Sequence, residues 1–278
     1  GEDAALLDLE TLQQIGGATG TISMTATCVA APAITNIFPT SGPTAGGTGV
    51  TLTGSNFTNG TLTVDGSTVT PTALSATSVS FTTPAHAAGA AAVARPPRGG
   101  TAATSFTYIA PPTVTAVPPT SGPTRGGQTV TITGTNFSNA SAVTFGGTAA
   151  TGFTVNSATQ ITATSPGTAP GTYDMRVTTA GGTSATSAAD QYTYVAAPTV
   201  TAVSPVSGPT GGGQTVTITG TGFAFAPGTG AVKFGVASAT YTINSNTQIT
   251  ATSPANAAGT YDITVTTAGG TSAASPGG

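Results

Sequence analysis

Charge is scarce in this sequence: charged residues are 5% of 278, against about a quarter in an ordinary soluble domain. Eight acids face five bases, for a net charge of −3 at pH 7. Five cations cannot build a phosphate-binding stripe, so nucleic acid is not expected as a partner. One His and one Cys leave no Cys/His zinc cage and no disulfide scaffold. Trp is absent, so no indole is available to stack on a sugar ring. No run approaches the roughly 18 consecutive apolar residues of a spanning helix, and membrane insertion is not expected. Gly1, Glu2 and Asp3 open the chain without Met or a basic leader. A chain processed or cut from something longer is the expectation.

What is present is repetition. Ser-Gly-Pro-Thr occurs at 41–44, 121–124 and 207–210. Each copy runs on alike: SGPTAGGTGVTLTGSNF from Ser41, SGPTRGGQTVTITGTNF from Ser121, SGPTGGGQTVTITGTGF from Ser207. Later landmarks return as well, with TVNSATQITATSP at 154–166 matching TINSNTQITATSP at 242–254. Self-similarity at a fixed period marks a tandem array. Within each copy apolar residues alternate with threonine. Val130 and Ile132 face one way and their Thr neighbours the other, the period-2 pattern of a half-buried strand. Gly-Gly, Asn-Ser and Ser-Pro punctuate the strands at turns. Many short strands in a unit of this size predict an antiparallel sandwich.

The motif resembles the IPT/TIG family, whose modules open with P-x-S-G-P-x-x-G-G and continue into a V-x-I-x-G-x-x-F strand. Pro39, Ser41, Gly42, Pro43, Gly46, Gly47, Gly54 and Phe57 carry it in the first copy. Pro119, Ser121, Gly122, Pro123, Gly126, Gly127, Gly134 and Phe137 carry it in the second. The resemblance implies an all-β fold of three tandem early-set immunoglobulin-like sandwiches. In transcription factors such modules can touch DNA; in bacterial and phage proteins they are similar to spacers and adhesive units. The expected division is 1–31 as a helix plus assembly strand, then modules at 32–110, 111–196 and 197–278.

The two ends do not match. The joints between modules read FTYIAPPTVTAVPP (106–119) and YTYVAAPTVTAVSP (192–205), and the start, ATCVAAPAITNIFP (26–39), aligns with both without a gap. Cys28 stands where the joints have Tyr108 and Tyr194, and Ala26 where they have Phe106 and Tyr192. Residues before the first module therefore read as the last strand of a module, with Ile22, Met24, Ala26 and Cys28 on one face. The third copy runs to GGTSAASPGG, without the TSFTY or SAADQYTY of its predecessors, and is expected to lack its last strand. Such a module exposes unpaired backbone and an open core edge. A spare strand at one end and a missing one at the other permit head-to-tail strand addition. Two alternatives stand beside it: a chain cut from a longer array, and pairing within one chain.

GEDAALLDLETLQQIG predicts a short amphipathic helix, with Leu6, Leu9, Leu12 and Ile15 at spacing three and acids early. It reads as a docking segment or as a helix packed on its own module. Arg95-Pro-Pro-Arg98 is unique to the first copy and replaces VTTA (177–180). The prolines are expected to end pairing and leave Arg95 and Arg98 exposed as a possible partner loop. His86, the sole His, has no Ser or Asp context marking it as a base, and reads as a surface residue. Asn56, Asn59, Asn136 and Asn139 stand in N-x-S/T sequons. No D-x-D-x-D cluster suggests Ca²⁺. No catalytic, cofactor-binding or metal residues are expected. The resulting expectation is a non-enzymatic structural subunit of an extracellular bacterial filament or cell-surface array, its partner other copies of itself. A phage virion protein docked on a capsid or surface scaffold through residues 1–30, and an adhesive or glycan-binding spacer, are the alternatives.

Overall fold

The structure is a computed structural model and describes residues 30–57, 60–95, 101–225 and 231–274. The expected helix of Leu6, Leu9, Leu12 and Ile15, the expected strand of Ile22, Met24, Ala26 and Cys28, and Arg98 lie outside the described residues. The chain divides into two compact units, 1–110 and 111–278.

Among the described residues the first unit holds nine strands: β1 (Ala33–Phe38), β2 (Ser41–Pro43), β3 (Gly49–Ser55), β4 (Leu62–Val64), β5 (Ser67–Val69), β6 (Pro71–Leu74), β7 (Ser78–Thr82), β8 (Gly89–Arg95) and β9 (Ala102–Ile109). They form two sheets, ordered β1-β3-β7-β6 and β2-β9-β8-β4-β5. Alternation within each strand decides which side chains enter the space between the sheets. In β3, Val50 and Leu52 are buried while the threonines face out. Phe57, Phe81, Phe106 and Tyr108 close the same core.

The second unit carries two modules. The first has β10 (Thr113–Ala116), β11 (Ser121–Pro123), β12 (Thr129–Thr135), β13 (Ala142–Phe145), β14 (Thr148–Ala149), β15 (Gly152–Ser157), β16 (Gln160–Thr164), β17 (Gly171–Thr179), β18 (Gly182–Thr183) and β19 (Gln191–Val195). Its sheets repeat the plan, β10-β12-β16-β15 and β11-β19-β17-β13-β14, with β18 returning on β17. The last module has β20 (Thr199–Ser204), β21 (Thr215–Thr221), β22 (Val232–Phe234), β23 (Ala237–Ser238), β24 (Thr240–Ser245), β25 (Gln248–Thr252), β26 (Ile263–Thr267) and β27 (Gly270–Thr271). One sheet, β20-β21-β25-β24, is complete. The other reads β23-β22-β26-β27, and neither the equivalent of β11 nor that of β19 is present among the described residues.

Local chemistry repeats with the topology. Asn56 and Asn136 hold the left-handed backbone at φ 61° and 59°, and Gly222 takes the same place at 77°. The Asn56 amide donates to Ala31 O at 2.9 Å and the Asn136 amide to Pro111 O at 3.1 Å. Each tie fixes the chain entering the module, so these two sequon residues have a structural task. The entry at Ala31 is thus held as the entry at Pro111 is.

Candidate functional site

In the second module β19 lies between β11 and β17. It runs parallel to β11, pairing Ser121 with Thr193, Gly122 with Tyr194 and Pro123 with Val195. It runs antiparallel to β17, from Gly171 opposite Tyr194 to Asp174 opposite Gln191. Thr193 N–H donates to Thr120 O at 2.8 Å, and Thr124 N–H donates to Val195 O at 3.1 Å. The first module does the same with Thr107 N–H to Thr40 O at 2.9 Å and Thr44 N–H to Ile109 O at 3.1 Å. The inward side chains are aromatic. Tyr192 and Tyr194 are buried, meet edge to face at 5.0 Å, and pack on Phe145 and Tyr173 at 5.3 and 5.8 Å. Phe106 and Tyr108 form the matching pair at 5.1 Å. Burial pushes the phenol pKa of Tyr108, Tyr192 and Tyr194 above 10.

The third module presents the same seat without an occupant among the described residues. Ser207–Pro209, the counterpart of β11, pairs with nothing as a strand, and β26 begins only at Ile263 where β17 begins at Gly171. Gly259–Asp262, the counterpart of 171–174, has no strand partner among the described residues on the side where β19 pairs with 171–174. Val206 O and Thr210 N–H, the counterparts of Thr120 O and Thr124 N–H, find no backbone partner among the described residues. Between the edges opens a cavity of about 540 Å³ whose lining includes Val206, Gly208, Pro209, Phe234, Tyr261 and Ile263. Phe234 is half-buried where Phe145 is sealed, and Tyr261 is exposed. Asp262 is the one charged residue on the lining among the described residues.

Two positions on the rim show what the seat is built for. A Cβ on Gly122 would lie 1.9 Å from the Tyr192 hydroxyl, so the ring demands glycine there. A Cβ on Gly208 would meet nothing nearer than Gln214 at 3.3 Å. The glycine is kept where the ring it would clear is missing. Val206, 72% exposed, stands where the sister modules have Thr40 and Thr120. An uncovered valine beside a groove with Asp262 as its one charged residue among the described residues is exposed apolar surface.

Other expected residues fall elsewhere. Arg95 corrects the sequence reading: it is wholly buried, not exposed. Its register on β8 matches Val177 of β17, an inward position. One guanidinium nitrogen donates to Phe57 O at 2.5 Å, and the group lies over the Phe57 ring at 5.8 Å. Burial lowers its pKa. His86 is neither isolated nor free: Nε2 sits 2.9 Å from Asp65 Oδ2, and the ring stacks on Tyr108 at 4.8 Å. That arrangement covers one end of the aromatic pair and brings no nucleophile. Among the described residues no three metal-ligating side chains cluster, and no helix is long and apolar enough to cross a membrane.

Two-sheet modules repeated along the chain, with one sheet edge left open, define a tandem array of immunoglobulin-like sandwiches. The IPT/TIG domain family matches residues 32–108, 112–194 and 198–277, and the chain belongs to that family. Among solved structures, the extracellular region of plexin A4 is similar over 85% of this chain and 23% of its own, at 22% identity and TM-score 0.40. SGBP-B of Bacteroides ovatus, in complex with a mixed-linkage heptasaccharide, matches 84% of this chain and 60% of its own, at 20% identity and TM-score 0.28. SGBP-B of Bacteroides uniformis, from a xyloglucan utilisation locus, matches 70% and 58%, at 24% identity and TM-score 0.30. The chain spans less than two thirds of each, and the likeness is one of fold alone. No curated protein matches the chain.

Proposed function

We propose that this chain is a structural, non-enzymatic subunit of an extracellular assembly, a filament or cell-surface array, built by strand addition. Residues of the 20–29 segment of one copy enter the open edge of the third module of the next. The observation that carries this reading is the unpaired groove of about 540 Å³ at the place where both sister modules bury an aromatic strand. An inserted strand gains ladder hydrogen bonds of about 1 kcal/mol each, against the ordering cost of a free segment. Low charge supports the reading: no Lys or Arg lines the groove among the described residues, whereas solitary proteins commonly guard open edges with charge. Threonine-rich, uncharged surfaces suit an extracellular setting.

Sedimentation over a concentration series tests it. The full chain is expected to give a ladder of oligomers, and a chain lacking residues 1–29 to stay monomeric and bind a peptide of residues 18–31. Monomers at every concentration would overturn it. Capture by a capsid through residues 1–30 would then favour scaffold docking, and saccharide binding an adhesive role.

A further inference from the structure

The open seat is short, and its length fixes what can enter. Beyond Ile263 the edge of β26 is already taken. β27 turns back on it, with Thr266 opposite Thr271 and Thr267 opposite Gly270, and Val265 N–H donates to Ser272 Oγ at 3.1 Å. The second module does the same with β18 and Ser184, and there β19 holds five residues. A strand entering the third module thus has a five-residue ladder with two inward places, the seats of Tyr192 and Tyr194.

By its alternation the segment before the first module has four residues on one face of an extended strand, Ile22, Met24, Ala26 and Cys28, so the register decides which pair is used. Slips by two keep the same face and are not excluded by patterning. The path of the chain favours one of them. Ala31 is tied to Asn56 as Pro111 is tied to Asn136, and residues 26–39 align with 106–119 and 192–205 without a gap. A chain held identically at its entry, with the same number of residues before it, arrives at the preceding module in the same register.

We infer that Thr25–Val29 of one copy form the inserted strand, with Cys28 between Gly208 and Gly259 of the next copy and Ala26 opposite Tyr261. This rests on the strand-addition reading above. It has a consequence for strength. The seat keeps the fittings of an aromatic pair, Gly208, Phe234 and Tyr261, yet receives Ala and Cys. The joint between copies is underfilled relative to the aromatic joints within a copy, and so is the weak, exchangeable link of the array. Met24 falls at the place of Asp190, which is wholly buried, and adds apolar contact beside the ladder.

Cys28 is the sole cysteine, which makes the register readable. Facing Cβ atoms in an antiparallel pair lie about 4.5–5.5 Å apart, close to disulfide reach. In the full chain, Gly259→Cys is expected to give a disulfide-linked ladder on oxidation, while Thr260→Cys, on the opposite face, gives none. Ala26→Tyr with Cys28→Tyr restores the pair and is expected to lower the concentration for assembly about tenfold or more. Gly259→Cys linking instead to Met24→Cys in a Cys28→Ser chain would overturn the register and leave strand addition standing. Assembly unchanged or weakened by the tyrosines would overturn the underfilled joint. No association in any variant, the native chain included, would fail the reading beneath both.

Discussion

Asp190 shows how sharply one residue can be read once charge is rare. It is the last residue of the short turn Ala188–Asp190 before β19, closes a capping box with Ser187 and is wholly buried, with Oδ2 accepting from Ser187 N–H at 2.8 Å. Burial raises its pKa above 3.8; the Ser187 N–H pulls the other way, and the Asp174 charge adds to the rise. A carboxyl whose pKa is higher in the fold than in the unfolded chain favours the protonated native state. Its contribution is therefore full below about 3.8 and is lost as pH rises through the folded value. Asp190→Asn keeps an acceptor for Ser187 and cannot ionise. Melting of the second module is expected to be unchanged by this substitution at low pH and raised by it at neutral pH. Melts of both proteins across that range check the sign, and a lower melting point for the variant at neutral pH would contradict it.

At the scale of the element, the glycine of the Ser-Gly-Pro strand reports whether the neighbouring strand is present. Gly122→Ala is expected to cost about 2 kcal/mol or more, because the Cβ would meet the Tyr192 hydroxyl at 1.9 Å. Gly208→Ala should cost less in the third module, where the nearest atoms are Gln214 Cβ and Cγ at 3.3 and 3.4 Å and a shift of a few tenths of an ångström relieves the contact. Denaturant unfolding of the two variants tests the contrast; equal costs would mean that the two seats are filled alike. Strands of this kind were legible in the sequence because Val130, Ile132 and their Thr neighbours alternate with period two. That the third copy has no counterpart of β19 among the described residues was legible because its predecessors supply the pattern. Arg95 was misread because two prolines and a charge suggest a solvated turn. The position of Val177, its counterpart on an inward-facing register, carried the signal that it is a core seat. The returns of β18 and β27 escaped notice since Gly182–Thr183 and Gly270–Thr271 are two residues each, too short for any periodicity.

For the whole molecule the decisive quantity is what kind of force would join one copy to the next in the proposed assembly. Among the described residues the groove has Asp262 as its one charged lining residue, and the segment 20–29, GTISMTATCV, carries no charge. Coulombic attraction between exposed charges is screened over about 8 Å at physiological salt and about 3 Å at 1 M. Burial of apolar surface and ladder hydrogen bonds are not screened in this way. Assembly by strand addition is therefore expected to keep its mass distribution when salt is raised from about 0.05 to 1 M. A contact made by the acidic opening, with Glu2, Asp3, Asp8 and Glu10 among the eight acids, would loosen over the same range. Light scattering across a salt series on the full chain separates the two. Dissolution of the oligomers at high salt would assign the joint to the acidic segment and empty the groove of its proposed role.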